Sequence, residues 1–139
     1  MKSYVLEYVV AVVVFLALDF AWLKTMGPTF YAAEIGPLLR PAPDLGVALA
    51  FYLLFVGGLV FFVIHPAIAQ AGLSASLPGV LAKAAFFGLV AYATYDLTNL
   101  ATINGFTARV ALVDMAWGAV LSAVVSGVTV YAVGKIAAT

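Results

Sequence analysis

Four long apolar runs, separated by short polar or proline-rich breaks, constrain this chain more than any other feature. Each is close to the roughly 20 residues that a helix needs to cross a bilayer core. The spacing predicts helices over about 4–26, 45–64, 78–103 and 108–134. Tyr4 and Tyr8 mark one end of the first run and Trp22 the other, as interfacial aromatics do. Gly27-Pro28 is expected to stop that helix, and Pro66 to disfavour helix at His65. Asp44, Ser76 and Thr107 stand where N-caps belong, and Asn104-Gly105 breaks the third helix from the fourth. The run after Met1-Lys2 has a signal-like start, but Asp19, Trp22 and Lys24 stand where a small-residue cleavage site would follow. It reads as a retained helix.

The expected fold is therefore all-α: a single polytopic membrane domain over 1–139, four transmembrane helices in an up-down bundle. Residues 27–44 contain Pro28, Pro37, Pro41 and Pro43 beside Phe30, Tyr31, Ile35, Leu38 and Leu39. Such a stretch is expected to lie as a short interfacial segment between helices 1 and 2. Composition agrees: 66% of residues are hydrophobic and 9% charged, against roughly 45–50% and about 25% in soluble domains. The formal net charge is zero, which leaves no electrostatic case for a nucleic-acid partner. With no cysteine and one histidine, thiolate chemistry and a multi-histidine metal site within one chain are excluded. No cofactor fingerprint is present, and a carboxylate site for a hard cation lacks enough oxygen ligands. Basic residues divide evenly between the two sides, Lys2, Lys83 and Lys135 against Lys24, Arg40 and Arg109. The positive-inside rule thus assigns no orientation.

The polar residues gather in one leaflet. Asp19 and Asp96 each lie about seven residues before their helix ends, roughly 10 Å deep at about 1.5 Å per residue. Asp114 enters from the same side to a similar depth. Tyr92, Asp96 and Asn99 share a helix face; so do Asp19 and Trp22, and Asp114 and Trp117. Lys24 and Arg109 lie near enough to reach back toward a carboxylate. An aspartate within a membrane helix costs roughly 2.5–3.5 kcal/mol at the helix centre, so three of them ask for a reason. One is a ligand-binding or proton-active site formed by Asp19, Trp22, Tyr92, Asp96, Asn99, Asp114 and Trp117. The other is a closed network that fixes helix register. His65 reads as an interfacial or capping residue, and Gly57-Gly58 as close packing. On the fourth run, Gly118, Ser122 and Ser126 form a small-residue ridge. It suits packing within the bundle, or a seam for a homo-oligomer or larger complex.

Leu18-Asp19-Phe20-Ala21-Trp22 is echoed by Val113-Asp114-Met115-Ala116-Trp117, and Asp19 to Thr25 is echoed more loosely by Asp96 to Thr102. These segments also carry a family resemblance. With Asp19-x-x-Trp22, Tyr31-x-x-x-Ile35-Gly36, the run Gly88 to Thr102 containing Tyr95-Asp96-Leu97-Thr98-Asn99-Leu100-Ala101-Thr102, and Val113-Asp114-Met115-Ala116-Trp117-Gly118, the chain resembles a family of small bacterial integral membrane proteins of unknown function. The resemblance implies a four-helix protein of the bacterial inner membrane and carries no catalytic assignment. Three functions stay open: binding or transport of a small amphiphilic or lipid-like ligand, an accessory subunit of a membrane complex, and a lipid-modifying enzyme using carboxylates and tyrosine as acid and base. No nucleophile elbow, metal motif or phosphate loop supports the last.

Overall fold

The computed structural model describes residues 2–71 and 75–137. Four helical spans cross in up-down order. The first comprises α1 (Lys2–Met26), a π-helical turn (Gly27–Tyr31), α2 (Ala32–Ile35) and a 3-10 turn (Gly36–Leu38). The second comprises α3 (Leu45–Leu59), a π-helical turn (Val60–Ile64) and α4 (His65–Ala71). The third is α5 (Leu77–Thr102) and the fourth α6 (Ala108–Ala137). All four are long and apolar enough to cross a membrane. Large apolar side chains face outward along them, among them Val5, Leu54, Phe86 and Leu112. A soluble protein would present polar groups there; a surface of this kind is matched to lipid.

Both proline expectations need correction. Gly27-Pro28 does not end the first helix, and Pro66 does not end the second. In each case the backbone widens into a π turn beside the proline: Gly27–Tyr31 contains Pro28, and Val60–Ile64 runs up to His65-Pro66. Proline lacks an N–H, and its ring crowds the carbonyl four residues back. The helix nonetheless continues through the wider turn, where Ala32 N–H bonds Gly27 O in an i→i+5 bond. The first span consequently runs on for 36 residues, about 54 Å of helix against a core of about 30 Å. The segment expected to lie separately in the interface is thus a helical continuation until Gly36-Pro37.

This continuation folds over the start of α6. Ile35 packs with Phe106, Val110 and Ala111, with Phe30 and Tyr31 at the edge. Glu34 fastens it, accepting from Thr107 Oγ1 at 3.0 Å and from Arg109 Nη1 at 3.0 Å. Thr107 also caps α6 by accepting from Val110 N–H at 3.2 Å, and Asp44 caps α3 through Val47 N–H at 3.1 Å. Ser76 holds the N-cap position of α5 without a side-chain bond. The turn at Asn104-Gly105 needs φ +86° at Gly105, a left-handed value that a glycine adopts without strain.

α5 and α6 form the tightest hairpin. A Cβ built on Gly88 would lie 2.2 Å from both Gly118 O and Ser122 Oγ, and one on Gly118 would lie 2.3 Å from the Tyr92 ring. Gly118, Ser122 and Ser126 are all buried inside one chain. The ridge is therefore bundle packing, and it is not exposed to serve as a seam between copies. α1 packs on α6 and α3 through Ala11, Phe15, Phe55, Val56 and Leu59. The second span meets α5 around the Val60–Ile64 turn and through Phe55 of α3, whose ring lies against Phe87 and Tyr92; nearer the N-terminus of α3 a cavity lies between the two.

Candidate functional site

The gap between α3 and α5 is a cavity of about 380 Å³. Asp19, Trp22 and Leu23 line it from α1; Ala48, Phe51 and Tyr52 from α3; Ala91, Tyr92 and Tyr95 from α5; Asp114 and Trp117 from α6. Five of the seven residues singled out in the sequence thus share one cavity. The antiparallel run of α6 against α1 brings the two Asp-x-x-Trp segments together face to face. The Trp22 and Trp117 rings stack with centroids 4.3 Å apart and planes 4° from parallel. Trp117 Nε1 donates to Asp19 Oδ1 at 3.1 Å.

The matching tryptophan on α1 works through an intermediary. Trp22 Nε1 donates to Tyr31 Oη at 3.1 Å, and Tyr31 donates in turn to Asp114 Oδ1 at 2.5 Å. Tyr31 lies beyond Pro28, where the helix was expected to have ended. The π turn carries the helix on and brings this residue back over the site. Sequence reasoning gave Tyr31 no place in the cluster, and its only signal was the motif Tyr31-x-x-x-Ile35-Gly36. Tyr52 faces Asp19 from α3, and Phe51 completes the wall beside it.

Asp96 and Asn99 lie outside the cavity lining. Asp96 is wholly buried between helices with its carboxyl within hydrogen-bonding reach of that of Asp114, and no other donor meets its oxygens among the described residues. Asn99 sits a turn further along α5 beside Tyr95, outside the cavity lining. The basic residues do not reach back as expected. Arg109 turns to Glu34 and lies over the Phe30 ring at 6.0 Å, and Lys24 is exposed. The carboxylates of the site are therefore met by neutral donors. Among the described residues, no three acidic or histidine side chains converge as a metal site would require.

A second polar group lies at the other end of the bundle. Glu7 is completely buried and paired with His65 Nδ1 at 3.0 Å. Ser3 donates to Glu7, and Tyr4 stacks on the His65 ring at 3.5 Å. His65 is thus a partner of Glu7 rather than a helix cap. The continued helix after Val60–Ile64 places it there.

Four apolar spans enclosing buried carboxylates and facing outward with hydrocarbon define a polytopic α-helical membrane protein. The chain belongs to the DUF2177 family, described as "Predicted membrane protein", whose model matches residues 4–131. No curated protein and no solved structure matches the chain.

Proposed function

We propose that the protein binds, and by extension carries, a small amphiphilic ligand in the cavity between α3 and α5. The observation that supports this most is the coincidence of space and chemistry. A closed structural network would leave no room beside its polar groups, whereas here about 380 Å³ adjoins them. That volume sits at the lower end of ligand cavities, roughly 300–1,000 Å³. It suits one small apolar body with a polar head rather than a two-chain lipid. The wall is incomplete at Leu23, Phe51 and Tyr95, which are 40%, 47% and 58% exposed. These residues lie on outer helix faces, so a ligand can enter sideways from the membrane. The ridge on α6 lends no support to an accessory-subunit role, because the bundle buries it.

Filling the cavity without touching its polar groups tests the reading. Ala48→Phe adds a ring where α3 faces the void. Small molecules extracted from purified wild type and from this variant are compared by mass spectrometry, with thermal unfolding of both. A species that co-purifies with wild type and is missing from an equally stable Ala48→Phe protein is expected. If wild type carries nothing, or the variant retains the same species, the cavity is not a ligand site.

A further inference from the structure

We infer that the ligand of this cavity is an organic cation, an ammonium group carrying an apolar body; the inference rests on the ligand-site reading and gives it a chemical class. Charge is the first argument. Asp19 and Asp114 form part of the wall, Asp96 stands directly behind Asp114, and no lysine, arginine or histidine lines the cavity. Trp117 and Tyr31 donate hydrogen bonds to Asp19 and Asp114, but an indole N–H and a phenol bring no positive charge. The nearest arginine is committed to Glu34. Negative charge in a low-dielectric setting calls for a counter-charge, and the described residues supply none.

The second argument is Asp96. Asp96 is fully buried, and what its carboxyl meets is the carboxyl of Asp114, within hydrogen-bonding reach. Two buried carboxyl groups in such contact hold a proton between them rather than ionise together, so the pair carries one negative charge. A cation beside Asp114 would meet the charge that this pair retains, with Asp19 in the same wall.

The third argument selects an organic cation over an inorganic one. A metal ion needs several oxygen ligands at short range, and the three aspartates do not converge in that way. What surrounds the carboxylates instead is aromatic: Trp22 and Trp117 stacked on one side, with Phe51, Tyr52, Tyr92 and Tyr95 around the remainder. Ring faces attract alkylammonium groups through their quadrupoles and accept the attached hydrocarbon as well. Rings and carboxylates together match an ammonium head with an apolar body, whereas a phosphate or carboxylate head would meet only like charge.

The chain has two tryptophans, and both line this cavity. Intrinsic fluorescence therefore reports the site without a label. Purified full-length protein in neutral detergent is titrated with benzyltrimethylammonium, its uncharged isostere neopentylbenzene, and phenylacetate. Saturable quenching by the cation, at least tenfold tighter than by the isostere, is expected, with no saturation by the anion. Asp114→Asn is expected to reduce the preference for the cation to less than threefold while leaving the isostere's affinity unchanged. If the isostere binds as well as the cation, or the anion binds better, the cavity remains a ligand site and the cationic assignment is overturned. If no probe binds, both readings fail. Because the comparison of charged and uncharged probes is made on wild type, it stands even if the variant does not fold.

Discussion

Gly88→Ala is the most informative single change in the fold. The new methyl would lie 2.2 Å from Gly118 O, 2.2 Å from Ser122 Oγ and 2.8 Å from Gly118 C. Two of the three obstacles are backbone atoms of α6, which cannot rotate away as a flexible side chain can. The helices must separate by more than an ångström at this point. Overpacking of a tight core costs about 1–3 kcal/mol, occasionally more, and the backbone contact places this case near the upper figure. The gain in helix propensity from glycine to alanine, about 1 kcal/mol, offsets part of it, leaving a net loss of about 2 kcal/mol. Gly57→Ala is the internal control. Its Cβ would meet only Tyr8 Cε2 at 3.8 Å, an ordinary contact, so the propensity gain should appear unopposed. Thermal unfolding in detergent, followed by circular dichroism, compares the two with wild type. Gly88→Ala should lower the midpoint, and Gly57→Ala should leave it unchanged or raise it. Tyr92 lies one turn from Gly88 and leans on Gly118, so Gly88→Ala should also loosen the wall of the cavity and shift tryptophan emission to longer wavelength. Equal midpoints for the two variants would refute the close approach of α5 and α6.

Two further changes test the polar groups. Trp117→Phe keeps a ring against Trp22 but removes the indole N–H that bonds the buried Asp19 carboxylate, leaving it the Tyr52 hydroxyl; losing a donor to a buried acceptor costs about 1–3 kcal/mol, and unfolding midpoints should show it, whereas wild-type stability would mean that Asp19 does not depend on the indole. His65→Ala strips the completely buried Glu7 of its ring partner and leaves Ser3 as its remaining bond among the described residues. A hydrogen bond involving a charged group contributes about 1.5–3 kcal/mol, so the variant should unfold earlier, and Glu7→Gln introduced beside it should recover part of the loss. Failure of the second change to recover any stability would show that the glutamate charge is not what His65 compensates.

The architecture was legible because each span announces itself by length, and the breaks by Asp44, Asn104-Gly105 and Thr107. What the sequence concealed was how prolines behave inside long apolar helices. Pro28 and Pro66 carry the standard stop signal of soluble proteins. In a hydrocarbon setting an ended helix would leave backbone groups without water to bond, so continuing through a π turn costs less than stopping. The same reasoning explains what was legible of the site. Depth along straight helices correctly grouped Asp19, Trp22, Asp114 and Trp117, because rise per residue is fixed. Tyr31 lay beyond a π turn, where counting at 3.6 residues per turn no longer gives the face. Asp96 shares its helix with Tyr92 four residues earlier, yet it is buried against Asp114, while Tyr92, packed on Gly118, also lines the void. Spacing on one helix cannot decide which neighbour will cover which residue.

The two polar groups of the bundle illustrate opposite solutions to one problem. At the Glu7 end, a buried carboxylate is met by a histidine, a hydroxyl and a stacked ring. The group is supplied from within the chain, which makes it a fastening between the first and second spans. At the Asp19–Asp114 end the same bundle contains carboxylates, neutral donors and empty space. Arg109 and Glu34, which lie just outside, show that a basic partner was within the fold's means, yet it binds the extension of the first span instead. That pairing holds Tyr31's segment over α6 and so keeps the neutral donor on Asp114. An arginine that secures this extension rather than neutralising the site leaves the negative potential of the cavity standing, which is the condition a cationic ligand would need.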